Sequence, residues 1–267
     1  MKILATQETD WISRNPIISG IPGGPLREDA VRYAITEEFV AIYRMHQFLP
    51  DTFSFRAAEN DRLLREVDFP QVAFRGSRVL EEQIPMSDLF YSLGTMNPGA
   101  LTLHNYPRFL QRLDEPDGTT VDMAATDILR TRERGVPRYN AFRELIGRPR
   151  VRSFEELTDN AVWREEMRSV YGDVDAVDLL VGLYAERPPA GLALADTSYR
   201  VFVLMTSFRL EADRFFTVDY RPEVYSQEGL DWIERNDMRS VLIRQYPELR
   251  SSLRGVKNPF APWPRAA

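Results

Sequence analysis

Between Thr36 and Asp51 the chain reads TEEFVAIYRMHQFLPD, and no other stretch constrains the fold more. Its pattern predicts a single helix closed by Pro50. Phe39, Ile42, Tyr43 and His46 fall at i, i+3, i+4 and i+7, so a continuous helix puts them on one stripe. That stripe is apolar except for a phenol and an imidazole one turn apart. The imidazole is one of only 2 in the chain. Pattern alone leaves two readings open: a satisfied core histidine beside a packed tyrosine, or a ligand for a metal or cofactor.

The rest of the chain repeats the helical period, and convincing strands are almost absent. Residues 1 to 30 read as an irregular lead-in, with Pro22-Gly23-Gly24-Pro25 as a turn, and TFSFRAAEN is a short extended segment. Helices are expected over Ser77 to Gln83, Ser87 to Leu93, Ala100 to Leu113 with an interruption at Pro107, and Asp122 to Arg134. Further helices are expected over Arg138 to Ile146, Asn160 to Tyr171, Asp175 to Glu186, Thr197 to Phe216, Ser226 to Arg235 and Met238 to Gln245. Ser153-Phe-Glu-Glu156 has the pattern of a capping box, and Glu115-Pro116-Asp117-Gly118 that of a turn. The tail after Gly255 is a loop with Phe260 and Trp263 available to pack back. No repeat and no linker divides the chain, so the expectation is one mainly helical domain over residues 1–267.

Composition narrows the chemistry. The chain has no cysteine, which excludes disulfides, thiolate metal sites and a cysteine nucleophile. Its net charge of −6 argues against a general grip on nucleic acid. No apolar run is long enough for a secretory leader or a membrane span, so a cytoplasmic or peripherally membrane-attached protein is expected. GxSxG, Walker and GxGxxG motifs are absent, and two histidines this far apart cannot make an HExxH site. The arginines at 130, 132, 134, 138 and 143 read either as a solvated face or as guanidiniums holding anionic groups.

ITEEFVAIYRMHQFLPD resembles the proximal helix of the animal-type haem peroxidase superfamily, in the branch of the fatty-acid alpha-dioxygenases and their cyclooxygenase-like relatives. DILRTRERGVPRYNAFR, from Asp127 to Arg143, resembles that superfamily's arginine-rich haem-side helix. SFEELTDN, VYGDVDAVDLLVGLYAERP and MTSFRLEADRFFT resemble its C-terminal helices, so the match runs from about residue 30 to 245. The resemblance implies a mainly α fold, the C-terminal part of the all-helical peroxidase architecture. It also implies haem b and its iron as cofactor, a peroxidase or dioxygenase activity, and a role in fatty acid oxidation or the response to oxidative stress. Fatty acid or peroxide and molecular oxygen are the implied substrates.

By position, the resemblance makes His46 the axial iron ligand and Tyr43 the residue that the haem oxidises and that then takes hydrogen from substrate. Asp127 stands where relatives often carry an asparagine that bonds the ligand's other nitrogen. Arg130 matches an arginine near a haem propionate. Arg209 matches a position associated with the fatty-acid carboxylate, with an ion pair to Glu211 or Asp213 as the alternative. Thr206, one turn earlier, would line the same channel. The superfamily's distal histidine precedes the proximal helix, and no histidine precedes Thr36 here; His104 follows it. The chain thus reads as the C-terminal part of a larger enzyme. Poor solubility alone, or assembly with a missing N-terminal half or partner chain, is then expected. A non-catalytic scaffold that keeps the fold segment is the competing reading, and an interaction module a third.

Overall fold

The computed structural model describes residues 23–26, 35–73, 76–115, 117–190, 192–260 and 262–266. Most of the expected lead-in falls outside them, although Gly23 does turn, with φ +72°. In chain order the elements are α1 (Glu37–Ile42), β1 (Thr52–Arg56), β2 (Leu63–Asp68), α2 (Phe69–Val72), α3 (Gly76–Gln83), α4 (Met86–Thr95), α5 (Arg108–Gln111), β3 (Leu113–Asp114) and β4 (Thr120–Val121). There follow α6 (Met123–Glu133), α7 (Tyr139–Leu145), α8 (Phe154–Leu157), α9 (Ala161–Tyr171), α10 (Leu179–Ala185), α11 (Asp196–Glu211), α12 (Pro222–Tyr225), α13 (Gln227–Arg235) and α14 (Met238–Gln245). The fold is mainly α, as the periodicity predicts. No helix among the described residues is long and apolar enough to cross a membrane.

The chain packs as two compact units, and it passes between them more than once. One comprises Met1–Gly24, Leu49–Gly99 and Arg214–Ala267; the other comprises Pro25–Phe48 and Ala100–Asp213. In the first, β1 and β2 form an antiparallel hairpin with Phe53 opposite Val67 and Ser54 opposite Glu66. Alternation along the strands turns Phe55 and Val67 inward, onto Leu80 of α3 and Leu89 of α4. A second cluster gathers Tyr91, Leu242, Leu249, Leu253 and Trp263. Trp263 does pack back, whereas Phe260 stays 41% exposed. Its indole lies so close to α4 that a Cβ at position 94 would come within 2.2 Å of it, which is why Gly94 stands there.

The second unit is built on α7, α8, α9 and α10, whose Tyr139, Leu157, Met167, Leu179 and Leu183 form one core with Ala41 and Ile42 of α1. A Cβ at Gly182 would meet the Tyr139 ring at 2.3 Å, so that glycine sets the close approach of α7 and α10. Local signals place the ends. Asp122 caps α6 through Ala125 N–H at 3.1 Å. Asn160 caps α9 through Val162 and Trp163 N–H at 3.0 and 3.2 Å, and Gly172 ends that helix at φ +70°. The turn at Glu115 closes the two-residue pairing of β3 with β4.

Four expected helices are shorter or broken, the first being Thr197 to Phe216, which ends at Glu211 in α11. Ala100 to Leu113 keeps only α5, because Pro107 stops any helix before it. Asp175 to Glu186 divides into a 3₁₀ turn at Val174–Ala176 and α10. Between them Val177 gives its carbonyl to Tyr139 N–H at 3.0 Å, a tertiary bond that replaces a helical one. The fourth is the stretch Thr36 to Asp51.

Candidate functional site

The expected single helix from Thr36 to Asp51 does not form. Thr36 caps α1 by accepting Phe39 N–H at 3.2 Å, and Ala41 and Ile42 anchor it in the core. After Tyr43 the backbone leaves the helix: Met45 N–H bonds Tyr43 C=O at 2.9 Å, and His46–Phe48 form a 3₁₀ turn. Arg44 explains the break. Its carbonyl accepts the Tyr184 hydroxyl, and its Nε pairs with Asp127 Oδ1 at 3.2 Å. These two partners hold Arg44 where an α-helix would not. Tyr43 and His46 therefore do not share one helical stripe: Tyr43 is 45% exposed and His46 half-buried.

His46, Asp127 and Tyr106 meet at three atoms. His46 Nδ1 lies 3.1 Å from Asp127 Oδ2 and 2.9 Å from the Tyr106 hydroxyl, and that hydroxyl donates to the same Oδ2 at 3.1 Å. Asp127 is buried on α6, its side chain 1% exposed. An ionised carboxylate only accepts, so it orders the protons around it. Tyr106 gives its proton to Oδ2, and Nδ1 must carry the other. The opposite arrangement, with Tyr106 donating to a bare Nδ1, would set that lone pair against a carboxylate oxygen. In the neutral ring a proton on Nδ1 leaves a lone pair on Nε2, which makes no hydrogen bond among the described residues. Burial, and after it the Asp127 charge, pushes the Tyr106 hydroxyl well above the ordinary phenol range. It stays a donor.

A cavity of ≈ 140 Å³ lies beside this network, lined by Leu103, Ile128, Leu180 and Val181 together with Gln47 and Tyr184. Gln47 is 1% exposed. Burial raises the Tyr184 hydroxyl too, so it also remains a donor.

The other expected site residues fall as follows. Tyr43 stacks on Phe39 at 5.5 Å and on Phe202 at 6.2 Å between ring centroids. Phe202, Thr206 and Arg209 follow one another at i, i+4 and i+7 along α11, one face of that helix. Thr206 is half-buried; Arg209 is exposed, where a buried carboxylate-binding arginine was expected. Arg130 forks onto Glu37, Nε to Oε2 and Nη2 to Oε1, both at 3.2 Å. That hydrogen bond, against the cost of burial and with the charges of Arg130, Arg134 and Arg44, holds the Glu37 carboxyl below its ordinary range. His104 pairs with Glu166 at 2.5 Å on the surface. Tyr106, Arg44 and Phe202 escaped the sequence reading. Tyr106 sits in a loop 60 residues from His46, and no periodicity marks it.

The arrangement suits an iron that brings most of its own ligands. Among the described residues, no group of three or more His, Cys, Asp or Glu side chains gathers to hold a bare ion. A porphyrin asks the protein for one axial nitrogen with its partner nitrogen tied back, and for an apolar surface. His46 meets the first requirement, and the cavity beside its network has an apolar wall of Leu103, Ile128, Leu180 and Val181.

Comparison with known proteins gives the same direction. The family profile described as animal haem peroxidase matches residues 1–257. The chain is 37% identical over 264 residues to alpha-dioxygenase 2 of Arabidopsis thaliana, covering 93% of this chain and 42% of that protein. It superposes on the crystal structure of Oryza sativa fatty acid alpha-dioxygenase with TM-score 0.83 and 36% identity, over 91% of this chain and 42% of that one. A structure of a variant of the rice enzyme with palmitic acid gives TM-score 0.84 at 35% identity, over 91% of this chain and 42% of that one. The chain thus spans about 42% of the length of the relatives it matches.

Proposed function

Since the chain belongs to the animal haem peroxidase family, we propose that it is a part of a haem-dependent oxidoreductase of the fatty-acid alpha-dioxygenase type. One observation carries the reading: Asp127 and Tyr106 hold His46 by Nδ1 and leave Nε2 free to bind iron. When bound, haem supplies the one-electron oxidation of a nearby phenol. Tyr43 is that phenol. Its ring is held between Phe39 and Phe202, and its hydroxyl gives up a hydrogen atom. The resulting tyrosyl radical takes a hydrogen atom from the substrate: an O–H bond forms, a C–H bond breaks, molecular oxygen adds to the carbon radical, and the peroxyl radical takes the hydrogen atom back from the Tyr43 hydroxyl, giving a hydroperoxide and the tyrosyl radical again.

Arg209 is the residue for the substrate carboxylate, which a guanidinium binds through two parallel hydrogen bonds. Thr206 lies one turn nearer to Phe202 on the same face of α11 and lines the path to Tyr43. Arg130, already forked on Glu37, takes a propionate only by exchanging one carboxylate for another. Haem-loaded protein tests the reading. Tyr43→Phe abolishes fatty-acid-dependent oxygen uptake and keeps peroxide-driven dye oxidation. Equal loss of both, or loss of neither, contradicts the radical role. The scaffold reading predicts no peroxide consumption above that of free hemin.

A further inference from the structure

We propose that Tyr106 and Arg44 are positioning residues that share the Asp127 carboxylate with His46 and so limit how strongly that carboxylate activates the imidazole as a ligand. The inference rests on His46 as the iron ligand. It concerns Tyr106, in a loop 60 residues from His46, and Arg44, just past the end of α1 and two residues before His46.

The argument is the partition of one carboxylate among three donors. Oδ1 faces Arg44 Nε at 3.2 Å. Oδ2 faces both the Tyr106 hydroxyl and His46 Nδ1, each at 3.1 Å. Tyr106 and His46 therefore compete for one oxygen, and their own separation of 2.9 Å keeps both in place. A carboxylate that bonds only an imidazole draws the Nδ1 proton towards itself, and the ring becomes a more basic ligand. A charged or hydroxylic donor on the same carboxylate takes a share of its electron density. With Arg44 on one oxygen and Tyr106 on the other, His46 receives the remainder.

The position of Tyr106 is built, not incidental. Its ring meets the imidazole edge-on, with centroids 5.5 Å apart and planes at 66°. Gln111 Nε2 donates to its backbone carbonyl at 2.9 Å. Arg44 is fixed from a second side by the Tyr184 hydroxyl on its carbonyl. Both residues thus hold the break in the helix and the carboxylate together. The sign follows: removing either donor strengthens the His46–Asp127 hydrogen bond, whereas Asp127→Asn weakens it.

The chain's two histidines make the test direct. In ¹⁵N-histidine-labelled His104→Ala protein without haem, His46 is the single ring, and long-range ¹H–¹⁵N correlation reads its tautomer. The proposal expects a proton on Nδ1 and none on Nε2. It expects that proton to move downfield in Tyr106→Phe, and also in Arg44→Met, which leaves the tyrosine intact. After hemin loading, both variants lower the iron midpoint potential and Asp127→Asn raises it. A bare Nδ1, or a proton signal that stays or moves upfield in either variant, overturns the proposal. Failure of His46→Ala to change hemin binding overturns the ligand reading instead, and leaves the proton assignment standing.

Discussion

Asp127 and Asp178 lie in the same unit in nearly matching surroundings, and in the function proposed above only one of them serves a site. Each is buried, with its side chain 1% or 2% exposed. Each is met by two basic side chains and a tyrosine: Arg44, His46 and Tyr106 for the first, and Arg132, Arg138 and Tyr171 for the second. Around Asp178 every bond ends at the carboxylate. Arg132 forks onto both oxygens at 2.9 and 2.6 Å, Tyr171 donates at 2.9 Å, and Arg138 completes the set. Around Asp127 one partner is a ring with a second nitrogen, and that nitrogen remains unspent. A buried ion pair is by default structural. It becomes part of a site when one of its members keeps a valence for something outside.

The comparison breaks first on stability. Asp178→Ala removes bonds from α6, from the start of α7 and from α9 to the start of α10, and is expected to cost about 3 kcal/mol in urea unfolding. Asp127→Ala removes fewer and longer bonds and costs about 2 kcal/mol. A reversed order would make Asp127 the structural member of the pair.

Ligand binding sharpens it. Asp127→Ala weakens hemin binding by about 10- to 100-fold, as loss of a partner to a ligating histidine does. Asp178→Asn leaves hemin affinity unchanged in protein that remains folded. Equal losses in a parallel hemin titration would mean that both act through the fold alone.

A smaller effect appears with pH. Burial works to raise the Asp178 carboxyl, but the Arg132 and Tyr171 hydrogen bonds and the Arg138 and Arg132 charges outweigh it and hold the group below its ordinary range. Its folded pKa lies below the unfolded value, so its stabilisation is complete above about pH 4 and fades as pH falls further. The stability gap between the protein and Asp178→Asn should be full at about pH 6 and narrow below about pH 4. A gap that widens on acidification contradicts this sign. Smallest of all is Tyr43→Phe. Removing a hydroxyl from a ring that is 45% exposed should change stability by no more than about 0.5 kcal/mol, so that any loss of activity is chemical.

What the sequence showed and what it hid follow the range of each interaction. Helix ends set by neighbouring residues were legible: Asp122, Asn160 and Gly172 do what their positions predict. So were the mainly helical fold and, through resemblance, the family. The break after Tyr43 was not legible, because its causes, Asp127 and Tyr184, lie 83 and 140 residues from Arg44 in sequence. Tyr106 was hidden for the same reason. The β2 strand was missed because LLREVD, in which Leu64 and Val67 pack on the core at a spacing of three, lacks the clean alternation that marks a half-buried strand. Two of the four residues of the candidate site, Arg44 and His46, thus lie in one local stretch, and tertiary packing brings Asp127 and Tyr106 to them.

The central claim is that His46, tied at Nδ1, gives Nε2 to iron. Hemin titration followed by the Soret band, in the protein with His46→Ala and with His104→Ala, tests it most directly, because these are the only two imidazoles in the chain. The account predicts that the Soret shift persists in His104→Ala and disappears in His46→Ala, with both variants folded. A shift that survives in His46→Ala, or one lost equally in His104→Ala, would contradict it.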